Sequence, residues 1–127
     1  MKLENYFKNG KIKVWKETFS IVKSKKSLAD AFAVVKDKKE LTVVIDESKI
    51  RNNKDIIKLE EDWKLLTFDV ELPFNLVGFL AKVSKALAEE KISIFVISAY
   101  STDHILVKEK NLKVATSKLK SLGFKFT

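Results

Sequence analysis

In 127 residues the chain has no cysteine, one proline, three glycines and one histidine, and a single arginine stands among 25 basic residues. Each scarcity removes options. Without cysteine there is no disulfide, no thiolate metal site and no cysteine nucleophile, a usage that fits a reducing cytoplasm. His104, the lone histidine, has no second imidazole with which to build a zinc-type ligand set. It reads as a hairpin or surface side chain rather than a catalyst. No apolar run approaches the ~18 uncharged residues that a membrane span requires. The opening "MKLENYFKNGK" carries Glu4 and no following apolar stretch, which argues against a signal peptide. A nucleophile elbow, a Gly-rich phosphate loop and a metal set are all missing. The sequence therefore predicts a non-enzyme with no cofactor.

What is present is lysine. The formal net charge is +8 and the sequence pI about 9.6. A basic balance raises the case for nucleic acid, but Arg51 is the only arginine, and readers of bases lean on arginine for bidentate and stacking contacts. The excess is also spread out: residues 1–64 carry 16 basic and 11 acidic side chains, residues 65–127 carry 9 and 6. A solvating lysine surface is the simpler reading. The acidic run Glu60-Glu61-Asp62 reads as solvated too. With 46% hydrophobic residues the chain can bury a core.

The second half has the clearer periodicities. "WKLLTFDVEL" (63–72) alternates as a strand. After "PFN", Asn75 is placed to cap a helix, with Leu76, Leu80, Val83 and Leu87 on one stripe as far as about Glu90. Residues from Ile92 to about Ala99 form a strand apolar on both faces, the pattern of a central strand. "YSTD" turns the chain into a second strand, "HILVKE", as an antiparallel hairpin. Asn111 caps another helix, with stripe Leu112, Ala115, Leu119 and Leu122, and Gly123 ends it. "FKF" closes as a short strand. The order β-α-β-β-α-β is that of the ferredoxin-like α+β fold, nearly complete within 63–127.

The first half is less regular. "KIKVWKETFSIVKS" reads as one or two strands around Val14 and Phe19–Val22. Ser27 with Asp30 resembles a capping box ahead of a short helical stripe, Leu28, Ala31, Phe32 and Val35. "ELTVVIDES" is a strand, and residues 49–62 read as a polar linker with a clasp at Ile56-Ile57. Trp15 and Trp63 read as packing residues at strand edges. The expected organisation is 1–62, a partial half with linker, and 63–127, a complete half, the two packed together.

The stretch "LPFNLVGFLAKVSKALAEEKISIFVISAYSTDHILVKEKNL" resembles the ACT domain, specifically small proteins built of two ACT-like halves. It is similar to the ACT pairs of aspartate kinases and of CASTOR-type arginine sensors. The likeness runs from Phe68 to Gly123 and is sharpest at "PFNLVG", "ISIFVIS" and "YSTDHILV". "ELTVVIDES" is a weaker echo, while Lys23–Lys39 departs as an added or lengthened helix. The resemblance implies a regulatory protein that binds a small effector, most simply an amino acid, at the interface between ACT units. It also implies a homodimer through side-by-side sheet pairing.

The implied site is Phe74, Asn75, Leu76, Val77 and Gly78 facing Ser98, Ala99, Tyr100, Ser101, Thr102 and Asp103. Glu40, Leu41 and Thr42 are carried over as an opposite wall. With Asn75 as N-cap, Gly78 falls at N3, where glycine costs about 1 kcal/mol of helix propensity. Either the helix packs tightly on the sheet there, or a ligand approaches free N–H groups suited to an α-carboxylate. The hydroxyls of Ser98, Ser101 and Thr102 and the Asp103 carboxylate suit an α-ammonium. They equally suit an Asx- or ST-turn that satisfies its own backbone. Two rivals stand beside the effector reading: a protein–protein module without ligand, and a lysine-rich nucleic acid binder.

Overall fold

Alternating apolar residues draw the chain into long strands. The computed structural model describes residues 2–127. Helix α1 (Leu3–Lys8) leads into β1 (Lys11–Ser24), β2 (Ala33–Lys36), β3 (Leu41–Asp46) and β4 (Ile56–Asp69). Helix α2 (Phe79–Glu89), β5 (Ile94–Ser98), β6 (Asp103–Lys108), α3 (Leu112–Ser121) and β7 (Lys125–Phe126) follow. Two compact units result: Lys16–Trp63, and the segment up to Trp15 together with Lys64–Thr127. The long strands β1 and β4 contribute one end to each.

In the unit containing the C-terminus the strand order is β7-β1-β4-β6-β5. The succession β4-α2-β5-β6-α3-β7 is the ferredoxin-like α+β order expected. One departure is topological. β7 pairs in parallel with β1, Lys11 beside Lys125, so the N-terminal strand lies between the last strand and β4. Leu66 and Phe68 of β4, Ile105 and Val107 of β6 and Ile12 of β1 share one core. That core is covered by Tyr6 and Phe7 of α1, Phe79, Val83 and Leu87 of α2, and Ala115 and Leu119 of α3. Burying a side chain of this size stabilises by roughly 1.5–3 kcal/mol. Gly123 stands just past α3 with φ +115. A Cβ there would meet the Lys8 Cα and the Phe7 carbonyl oxygen at 3.2 Å, so this stop is set by close approach to α1 as well as by conformation.

The strand expected to be central, Ile92–Ala99, is instead the edge strand β5, with Ile94–Ile97 only half-buried. The inner place belongs to β6, whose Ile105, Leu106 and Val107 are fully buried. Apolar residues on both faces report that both faces are covered; they carry no information about which strand the split βαβ crossover puts inside. Asn111 precedes α3 as expected but makes no side-chain capping hydrogen bond.

In the Lys16–Trp63 unit the order is β2-β3-β1-β4. β3 lies where "ELTVVIDES" predicts it, antiparallel to β1 with Phe19 opposite Asp46, around Val22, Val43 and Ile45. "KIKVWKETFSIVKS" is one continuous strand. The helix expected across Lys23–Lys39 is not formed. Asp30 takes φ +64, outside right-handed helical geometry, and Ala33–Lys36 pairs with β3 instead. The linker expected at 49–62 ends early, because β4 begins at Ile56. Within β4, Asp62 has φ +67 and its N–H donates to Glu47 Oε1 at 2.6 Å.

Candidate functional site

The "LPFNLVG" segment forms a tight turn before α2, in which the Leu76 N–H donates to the Pro73 carbonyl at 3.0 Å. The helix starts at Phe79 with Gly78 as its N-cap, φ +91 and ψ 0. Asn75 is therefore not the cap, and Leu76 precedes the helix rather than belonging to its stripe. Gly78 is not at N3. Its left-handed conformation is one that a side chain strains, and the nearest atom to an added Cβ is Leu3 Cδ2 at 3.3 Å. Neither tight packing on the sheet nor N3 geometry explains the glycine; the backbone turn does. No side chain caps α2 and no acidic residue lies in its first turn. The first-turn N–H groups have no intrahelical carbonyl to meet.

The second wall is the β5–β6 hairpin. Ser98 pairs with Asp103, and the Ala99 N–H closes the turn onto the Thr102 carbonyl at 2.9 Å. A single backbone hydrogen bond, Leu72 N–H to the Ser101 carbonyl at 2.7 Å, ties this turn to the one before α2. A cavity of about 390 Å³ lies between them. Leu72, Pro73, Phe74, Leu76 and Gly78 line one side, Phe79, Leu80 and Ala81 the base of α2, and Ser98 through Asp103 the other side. Nine of the eleven candidate residues thus surround one space. Asn75 and Val77 are exposed and outside the lining, because the turn directs alternate residues away from it. At the rim the Phe74 and Tyr100 rings meet edge to face, centroids 4.8 Å apart, although the two residues are 77% and 80% exposed.

Sequence reasoning missed a polar chain behind the hairpin. Trp15 Nε1 donates to Thr67 Oγ1 at 2.8 Å. Thr67 Oγ1 lies 2.9 Å from His104 Nδ1, and His104 Nε2 lies 3.4 Å from Thr102 Oγ1. Burial lowers the His104 pKa below its ordinary value, with the adjacent Asp103 carboxylate opposing in part. In the neutral ring, a proton on Nε2 lets the Thr67 hydroxyl donate to Nδ1 and Nε2–H donate to Thr102. His104 thus steadies a cavity residue. Strand alternation alone did not reveal it, because Trp15, Thr67 and His104 lie on three different strands, β1, β4 and β6. Glu40, Leu41 and Thr42 belong to the other compact unit, in the β2–β3 hairpin, where Glu40 pairs with Lys23 at 3.4 Å. Among the described residues no cluster of three or more His, Asp or Glu could hold a metal ion, and no helix is long and apolar enough to cross a membrane.

A βαββαβ unit with a cavity between a helix start and a hairpin turn defines an α+β domain of ferredoxin-like fold. The family model of the ACT domain matches residues 58–121, half of the chain, and the chain belongs to that family, one of regulatory ligand-binding domains. It is 25% identical over 100 residues to the Homo sapiens protein CASTOR3P, covering 71% of this chain; it spans 61% of the length of that relative. The crystal structure of Atu0741 from Agrobacterium tumefaciens is similar with TM-score 0.79 and 23% identity, over 93% of this chain and 92% of that one. The regulatory subunit of aspartate kinase from Thermus thermophilus gives TM-score 0.63 and 8% identity, over 87% and 95%.

Proposed function

We propose that this chain is a regulatory domain whose effector is an amino acid bound between the turn at 73–78 and the turn at 98–103. The α-carboxylate meets the uncapped first-turn N–H groups of α2, where the helix dipole favours an anion. The α-ammonium meets Asp103 and carbonyls at the end of β5. The observation that carries this reading is the cavity itself, which has free donors on one wall and on the other a carboxylate that its own turn does not use. The reading includes a non-catalytic role in the cytoplasm, with Lys16–Trp63 as a second, divergent ACT-like unit. Effector binding then acts by favouring one arrangement of ACT units over another.

A second reading draws on the edge position of β5 and on exposed Phe74, Val77 and Tyr100: two copies pair along β5 into a homodimer, with the effector at the interface between ACT units or absent altogether. Thermal melts with each of the twenty amino acids, accompanied by light scattering, separate the two. Ligand at one hundred times its dissociation constant stabilises by about 2.7 kcal/mol. A stable dimer that no amino acid at millimolar concentration stabilises would leave only the assembly reading.

A further inference from the structure

We propose that the cavity selects amino acids with an uncharged, apolar side chain. This rests on the reading of the cavity as an amino-acid site and adds the class it takes. One third of the chain's residues are charged, 33%, and at that density several should face any surface cavity. Among the described residues the only charged side chain lining this one is Asp103. Its charged neighbours in the chain stay out of the lining: Glu71 is exposed just before it, and Lys82 carries its ammonium over the Phe7 ring, 4.9 Å from the centroid.

An amino acid brings two charges at its α-carbon, and they use what the cavity offers: Asp103 for the ammonium, backbone dipoles for the carboxylate. A third charge finds no partner. An aspartate or glutamate side chain would enter without a cation to meet it. A lysine or arginine side chain would compete with the α-ammonium for one carboxylate. A charge taken out of water without a partner is strongly disfavoured. Apart from the Ser98, Ser101 and Thr102 hydroxyls on the hairpin side, the lining suits an apolar group. Leu72, Leu76 and Leu80 are half-buried, and the Phe74–Tyr100 pair at the rim leaves two rings in water that an apolar side chain would cover. Covering apolar surface is favourable in proportion to its area.

Titration calorimetry of the full chain against individual amino acids tests this. Leucine, isoleucine, valine, methionine or phenylalanine should bind best, with lysine, arginine, aspartate and glutamate at least about tenfold weaker. If a charged amino acid, or serine or threonine, binds as tightly as the best apolar one, the selectivity is overturned and the amino-acid site stands. If none of the twenty binds, both fall.

Discussion

In the β2–β3 hairpin, the turn consumes its aspartate. Asp37 Oδ1 accepts the N–H groups of Lys39 and Glu40, each at 2.8 Å, and the Asp37 N–H donates to the Glu40 carbonyl at 3.1 Å. In the β5–β6 hairpin, the Ala99 N–H closes the turn on the Thr102 carbonyl, and among the described residues the Asp103 carboxylate accepts no hydrogen bond. Each hairpin carries an aspartate at its turn, yet one aspartate is locally satisfied and the other leaves its carboxylate beside a cavity, unused by its own turn. A polar turn is therefore assigned a role by where its hydrogen bonds go, not by its composition.

The largest effect expected concerns what lies beneath each turn. Phe79, 4% exposed, forms the floor of the cavity, stacked on Phe7 at 5.1 Å and edge-on to Phe68 at 5.4 Å. Phe79→Ala should lower stability by about 3–5 kcal/mol. Val35, beside the Asp37 turn and 50% exposed, should lose under about 0.5 kcal/mol as Val35→Ala. Urea denaturation measures both. Similar losses would mean that the cavity has no firmer support than an ordinary surface hairpin.

Next come the aspartates themselves. Asp37→Ala should cost about 1 kcal/mol, the net worth of a typical hydrogen bond, and leave amino-acid affinity unchanged. Asp103→Ala should leave unliganded stability within about 0.5 kcal/mol and weaken binding at least tenfold, about 1.4 kcal/mol. Melting curves and calorimetry on both variants supply the four numbers. The contrast collapses if Asp103→Ala destabilises the free protein as much as Asp37→Ala does.

The β5–β6 turn was visible in the sequence, whereas the β2–β3 turn was covered by a helix reading of Lys23–Lys39; the hydrogen bonding of neither was legible. The βαββαβ order of 63–127 follows from two helical stripes and four strand patterns, each a local signal. What failed depends on distant partners. Whether β5 or β6 lies inside is decided by pairing across α2, which no window of residues contains. Asn75 has the chemistry of a cap, but the turn closed by Leu76 on Pro73 and the left-handed Gly78 move the helix start past it. Ser27–Val35 has a helical stripe, yet pairing with β3 outweighs that weak propensity. Helix α1 went unassigned although Leu3, Tyr6 and Phe7 show i, i+3, i+4 spacing, because six residues between charges make a faint periodic signal. The two cavity motifs were recognisable, whereas the Trp15–Thr67–His104 chain behind them joins three strands and could be found only by assembling the sheet.

That chain gives the smallest effect expected and a property the Asp37 turn lacks. Burial lowers the His104 pKa in the fold below the 6.5 of the free side chain, so the unfolded chain takes up the proton more readily. His104 therefore contributes its full stabilisation above about pH 6.5, and loses it as the pH falls through the folded value. Melting temperatures at about pH 7.5 and about pH 5 should fall more in the wild type than in His104→Gln, which keeps a hydrogen-bonding amide and cannot titrate. Acid titration of other carboxylates affects both proteins alike, so the difference between the two slopes isolates the histidine. Removing Asp103 takes away an influence that raises the His104 pKa, and in Asp103→Ala the acid loss should begin at the same pH, be larger and continue to lower pH. Identical slopes in wild type and His104→Gln would mean that Thr102 is held by its backbone turn alone, which would make the two hairpins alike in their support.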